Sequence, residues 1–230
     1  MKNEKVREML SFVAMDILDK LIIDSTISAV GHLHGRHEMD ESLLHQDELA
    51  IVRALSTRKR SEWMASRALL YSIAELPERA RCLYDDFGKP YLVGIDKHIS
   101  VSHSALWCAA MVSDQPCGVD IQVYSDTVRR IADRFLTPAD LLLVDQSDNP
   151  LHSLHLLWGA KECIYKAYGK RKLGFRENIF ITSIDPSTGK GLGEINYEGI
   201  HLSYEIYYRM LPEVAWVSCI QLAAVQPDAD

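Results

Sequence analysis

Two spacings of apolar residues alternate along the chain, and the places where one gives way to the other mark out its elements. Residues 4–23 mix helical and extended spacing and carry no assignment, whereas 27–33 read as a strand. From Ser42 the pattern turns helical and runs through Glu62-Trp63-Met64-Ala65-Ser66-Arg67-Ala68-Leu69-Leu70, a helix packed on one face that Pro77 closes. Phe87-Gly88-Lys89-Pro90-Tyr91-Leu92 is a tight turn feeding a short strand. Residues 99–104 and 107–112 form a hairpin with Ser102, His103 and Ser104 at its turn. Residues 117–123 form a strand with Asp120 inside an otherwise apolar run, and 129–135 and 138–144 are short helices. After a loop at 147–150 and a longer helix, strands follow at 179–184, 195–197, 201–208 and 214–222, before a tail at 226–230. No low-complexity linker divides the chain.

That longer helix carries the chemistry. In Trp158-Gly-Ala-Lys-Glu-Cys-Ile-Tyr-Lys-Ala-Tyr-Gly169, Trp158, Glu162 and Lys166 share one row, while Ala160, Ile164 and Ala167, with Cys163 beside them, form a packing face. Gly169 supplies a stop signal. Taken alone, Glu162 and Lys166 are also an ordinary solvated pair four residues apart. Asp120 points further: a carboxylate buried in an apolar strand requires a metal, a hydrogen-bond network or a cation. Arg67, between Trp63 and Leu70, is either a rim residue with a packed stem or a phosphate ligand in a cleft. Trp63 stands to Arg67 as Trp158 stands to Glu162, a hint that the two halves repeat one unit.

Composition narrows the class. The 230 residues are 47% hydrophobic and 25% charged, enough for one large domain or two small ones. A net charge of -7 argues against a dedicated nucleic-acid binder. Residues 161–176 nevertheless carry six basic groups against one acid, and 51–72 carry five against one, which suggests local anion sites. Five widely spaced cysteines without a CxxC pair read as reduced thiols, and no run approaches the length of a membrane span, so a cytoplasmic protein is expected. His32, His34, His37 and His45 lack a recognised ligand spacing and read as polar surface. The Ser-His-Ser triplet lacks the G-x-S-x-G elbow of a serine hydrolase.

Taken in order, Gly88-Lys89-Pro90, Ser100-Val-Ser-His-Ser104, Gly118-Val-Asp-Ile121 and the helix at 158–169 resemble the 4'-phosphopantetheinyl transferases, specifically the longer two-lobed type that activates acyl and peptidyl carrier proteins. The resemblance spans roughly residues 42–222. It implies an α+β fold of two similar lobes about a pseudo-twofold axis, 1–115 and 116–230, with coenzyme A and Mg2+ in the cleft between them. By resemblance Asp120 and Glu162 are metal ligands, with Gln122 beside them, and Lys166 is a catalytic lysine. Lys161 neighbours the phosphates, Arg67 with Arg60 or Lys59 receives the 3'-phosphate of coenzyme A, and Gly88, Lys89, Pro90, Ser102 and His103 complete the coenzyme contacts. The implied partner is an apo acyl or peptidyl carrier protein, with no nucleic acid or membrane, and the enzyme is expected to be a monomer.

The residue chemistry agrees. Mg2+ takes one or two carboxylates plus substrate oxygens and water, Glu162 suits removal of a proton from the carrier's serine, and Lys166 suits charge developing on the leaving group. One departure stands out: many members of the longer type place a glutamate where this chain has Gln122, so one negative charge is missing. A non-catalytic coenzyme- or carrier-binding homologue is the alternative that Gln122 raises, and a metal-dependent pyrophosphate hydrolase is a third.

Overall fold

The computed structural model describes residues 15–34, 44–74, 80–170 and 172–223. Six strands, β1 (Met15–Ile23), β2 (Thr26–Leu33), β3 (Cys82–Tyr84), β4 (Pro90–Leu92), β5 (His98–Ser104) and β6 (Trp107–Ser113), form one antiparallel sheet in the order β1-β2-β6-β5-β4-β3. Five more, β7 (Cys117–Val123), β8 (Ile179–Asp185), β9 (Lys190–Tyr197), β10 (Ile200–Met210) and β11 (Val214–Gln221), form a second in the order β7-β11-β10-β9-β8. Helices α1 (Gln46–Arg53) and α2 (Thr57–Ile73) precede β3. Helices α3 (Thr127–Arg130), α4 (Pro138–Asp145), α5 (Pro150–Tyr168) and α6 (Phe175–Asn178) lie between β7 and β8. The class is α+β.

Period-two alternation decides how these layers stack. In β6, Cys108, Ala110 and Val112 join the core under α2, while Ala109 and Met111 face the other sheet and meet Val119, Ile121, Val214 and Trp216. Both faces of β6 are therefore buried, which is why its sequence is apolar from Trp107 to Val112. Helix α5 covers the far side of the second sheet, setting Ala160, Cys163, Ile164 and Ala167 against Ile195, Ile206, Val217 and Cys219. The expected packing face of this helix is thus the one it buries. Gly169 ends it at φ 70°, with its N–H donated to the Tyr165 carbonyl at 3.1 Å.

Several elements depart from the pattern, each for a visible reason. The mixed spacing before residue 23 contains a strand, β1, whose register slips between Ile17 and Asp19; its exposure still alternates, but apolar Leu18 and Ile22 stand at outward positions beside Asp16 and Lys20 and hide the alternation in the sequence. β9 begins at Lys190, five residues before the expected start, because its glycines look unlike strand. A β-carbon on Gly193 would stand 2.6 Å from the terminal methyl of Ile164, so glycine leaves room for that side chain of α5. The hairpin between β5 and β6 turns at Ala105 and Leu106, with Ala105 at φ 53°, so Ser102, His103 and Ser104 lie within the strand and not at the turn. Helix α2 ends at Ile73; Pro77 lies outside the described residues.

Candidate active site

β7 is an edge strand of its sheet, and its free edge meets side chains of β5 in place of a backbone ladder. Val119 N–H donates to Ser100 Oγ at 3.0 Å, Ile121 N–H to Ser102 Oγ at 3.3 Å and Val123 N–H to Ser104 Oγ at 3.1 Å. This is the physical content of serine at every second position of β5: three hydroxyls satisfy three edge donors that would otherwise be buried unpaired. The strand that carries Asp120 is thereby fixed from both sides, by β11 and by this serine row.

Asp120 points to the opposite face of β7, toward α5. That approach is close, since a β-carbon on Gly118 would stand 1.9 Å from the Cys163 carbonyl oxygen. Lys166 Nζ donates to Asp120 Oδ1 at 2.7 Å and to the Val119 carbonyl at 2.9 Å, and Ser102 Oγ donates to the same Oδ1 at 2.8 Å. Asp120 is buried, and its cost is met by the hydrogen-bond network and the cation together. Glu162 sits one helical turn before Lys166, and its carboxyl group makes no hydrogen bond to another described residue. Burial pushes its carboxyl up to about 7, against the pull of Lys166 and with repulsion from Asp120. Burial by itself would lower the Lys166 ammonium, but Asp120 and Glu162 help to hold it above the usual lysine value. The group thus combines a paired carboxylate, an ammonium and a carboxyl poised near neutrality.

Gln122 lies on the same side of β7 as Asp120, as strand alternation requires. Its amide nitrogen donates to Asp120 Oδ2 at 2.6 Å, and its oxygen lies 2.8 Å from His155 Nδ1. The oxygen expected to face a cation is therefore engaged by His155. Lys161 departs from its expected place beside phosphates. Its ammonium is fully buried and donates to Asp140 Oδ2 at 2.8 Å and to the Phe135 and Phe175 carbonyls at 2.6 and 3.2 Å. One step along a helix is a 100° rotation, which separates Lys161 from Glu162.

The basic residues of α2 form a second group. Arg67 is fully buried, with its guanidinium over the Trp63 ring at 4.6 Å and one nitrogen donating to the Tyr84 hydroxyl at 2.9 Å. Its Nε and Nη1, and Nε of Arg60, are buried without partners among the described residues. His103 pairs with Glu62 at 3.0 Å, and Arg58 reaches the same carboxylate at 3.0 Å. Burial holds the His103 ring below the usual histidine value, partly opposed by Glu62. Lys89 spans from the turn before β4 to the end of α5, donating to the Ala167 carbonyl at 2.7 Å. A cavity of about 240 Å3 opens beside it, lined by Gly88, Lys89, Pro90, Ser100, Tyr165 and Lys166 among others.

Against known proteins, residues 116–215, which hold Asp120, Glu162 and Lys166, match the model of the 4'-phosphopantetheinyl transferase superfamily. The superfamily match thus lies in the part of the chain that carries these three residues and covers under half of its length. The 4'-phosphopantetheinyl transferase gsp of Aneurinibacillus migulanus is 30% identical over 107 residues, which are 45% of this chain and 45% of that relative. The chain thus spans under half the length of that curated relative. A crystal structure of holo-[acyl-carrier-protein] synthase (AcpS) from Neisseria meningitidis is 25% identical, with 47% of this chain and 98% of that chain covered and a TM-score of 0.37.

Within the superfamily segment, one participant escaped the sequence reading. His155 precedes Glu162 by seven residues, two helical turns, so helical periodicity alone places it in line with the chemistry. Tyr84 and Glu62, which hold Arg67 and His103, carry no comparable signal because their partners are distant in sequence. Of the histidines near the start, His32 and His34 stand edge-on to each other at 5.5 Å, His34 pairs with Asp16, His32 also meets Trp107 edge-on, and His37 lies outside the described residues. Among the described residues, no helix is long and apolar enough to cross a membrane.

Proposed function

We propose that this protein transfers the 4'-phosphopantetheine group of coenzyme A to a serine hydroxyl of an apo acyl or peptidyl carrier protein. The observation that carries the reading is Glu162, held near neutrality beside the Asp120–Lys166 pair within the segment that matches the superfamily. In this reading the carrier's serine oxygen attacks the β-phosphorus of coenzyme A, and the new O–P bond forms as the bond to the bridging pyrophosphate oxygen breaks. Adenosine 3',5'-bisphosphate leaves. Glu162, whose carboxyl has no protein donor among the described residues, takes the serine proton. Lys166 meets the charge that develops on the leaving phosphate.

The donor set fits Mg2+. Asp120 and Glu162 offer hard carboxylate oxygens on one side of the β7–α5 contact, and Glu162 has no protein donor to occupy it among the described residues. When bound, the ion neutralises pyrophosphate charge and polarises the phosphorus. The buried, unpaired nitrogens of Arg67 and Arg60 suit the 3'-phosphate, and the cavity beside Gly88, Lys89 and Pro90 suits the rest of the coenzyme. The two sheets with their covering helices are read as two lobes, 1–115 and 116–230, about a pseudo-twofold axis with the site in the cleft between them. Monomeric behaviour and a cytoplasmic location belong to the same reading.

Incubation with coenzyme A, Mg2+ and a panel of apo carrier proteins, followed by mass spectrometry of the carriers, tests it. A carrier heavier by one phosphopantetheine is expected. Unmodified carriers with hydrolysed coenzyme A would favour a pyrophosphate hydrolase, and binding without turnover would favour a non-catalytic homologue. For Arg67→Ala, binding of coenzyme A should weaken about ten-fold or more while binding of dephospho-coenzyme A changes little. Equal losses for both ligands would return Arg67 to packing.

A further inference from the structure

Gln122 is held at both ends, and what holds it determines which way its amide faces. Ser125 N–H lies 2.9 Å from His155 Nε2, and a backbone N–H can only donate, so Nε2 accepts. The ring proton of neutral His155 then sits on Nδ1, 2.8 Å from Gln122 Oε1, which can only accept. That leaves the Gln122 amide nitrogen to donate to Asp120 Oδ2 at 2.6 Å. The Ser125 carbonyl, 3.1 Å from Nε2, invites the opposite tautomer. Adopting it would leave the Ser125 N–H facing a ring N–H and turn the Gln122 oxygen onto a carboxylate. Both ends of the chain thus select one arrangement.

We propose that His155 is a positioning residue of this site: through Gln122 it keeps a neutral donor on Asp120 Oδ2, so that Gln122 serves Asp120 and not the cation. A glutamate at position 122 would bring a second carboxylate oxygen against Asp120 and would need an ion to hold the two together. The amide gives Asp120 a fixed hydrogen bond at no cost in charge, leaving Lys166 and Ser102 to share Oδ1. Supporting groups of this kind orient metal ligands and typically matter ten- to a hundred-fold in metal affinity. The part played by Asp120 toward a cation rests on the transferase reading; the relay itself belongs to the ligand-free protein.

The experiment separates the two. Ring-nitrogen NMR of His155 in the metal-free protein should place the proton on Nδ1, and a proton on Nε2 would overturn the relay. Unfolding midpoints of His155→Phe, Gln122→Leu and the double variant should be non-additive, with the double variant no less stable than the weaker single one; additive losses would also overturn it. Mn2+ serves as the probe ion, its binding read directly from water-proton relaxation in the presence of coenzyme A. His155→Phe should weaken binding about ten-fold, and His155→Asn, whose amide nitrogen falls close to where Nδ1 stood, should restore most of it. Unchanged or tighter binding in His155→Phe would mean that the Gln122 oxygen is free to turn to the ion, against the proposal. A wild-type protein that binds no Mn2+ and modifies no carrier would sink the transferase reading, while the tautomer and the non-additivity would still decide the relay.

Discussion

Glu162 and Lys161 are neighbours in sequence with opposite fates. Lys161 is buried with an acid and two carbonyls and holds α4 and the segment around Phe175 to α5; Glu162 is half-buried among charges, with no side-chain donor among the described residues. Its raised carboxyl has a measurable consequence in the protein without metal. Between pH 4.5 and about 7 the unfolded chain has lost this proton while the folded one keeps it, so the folded state binds more protons and stability falls as pH rises. The contribution is complete below pH 4.5 and gone above about 7. Glu162→Gln should flatten that part of the stability–pH curve, measured by denaturant unfolding, and abolish carrier modification without loss of fold. A variant that keeps the wild-type slope would place the raised carboxyl elsewhere; near-normal turnover would remove Glu162 from the mechanism.

At the scale of elements, the site depends on how closely β7 approaches α5 and on what closes the open edge of β7. Gly118→Ala would drive a methyl group into the Cys163 carbonyl, a backbone atom that cannot swing aside. A loss of about 3 kcal/mol or more is expected on unfolding, at the upper end for an overpacked core. A near-neutral result would mean that the helix can slide off the strand. Ser104→Ala removes the hydroxyl that receives Val123 N–H, away from Asp120, and should cost about 1–3 kcal/mol of stability for a donor left unpaired. Its coenzyme affinity should stay close to that of the wild type in a direct titration, since Ser104 touches none of the charged groups.

For the molecule as a whole, contacts distant in sequence join the parts that a transferase would need together. Lys89 ties the turn before β4 to the last carbonyls of α5, and its stem runs against Gly169, where a β-carbon would come within 2.6 Å of it. Burial lowers the Lys89 ammonium, so the tie is one of hydrogen bonding to the negative end of a helix more than of exposed charge. Lys89→Met, which keeps much of the stem and drops the donor, should lower the unfolding free energy by about 1–3 kcal/mol. If the tie also sets the cleft, the KM for coenzyme A should rise more than kcat falls.

What sequence alone determined was local. The face that α5 buries, the helix stop at Gly169 and the strand around Asp120 follow from spacing and from φ, and the motif order pointed to the superfamily that the match over residues 116–215 bears out. Tertiary structure decided everything that depends on which residue meets which. The outward Leu18 and Ile22 of β1 and the glycines of β9 concealed strands, because the neighbours that settle each position lie in other elements. The serine triplet read as a turn because the edge donors it satisfies belong to β7, nearly twenty residues later. Lys161 and Gln122 were assigned by proximity to their neighbours, yet Asp140 and His155 claim them. The physical reason is the same in each case: periodicity determines the direction in which a side chain leaves its own backbone, whereas its hydrogen-bond partner is set by the packing of separate elements.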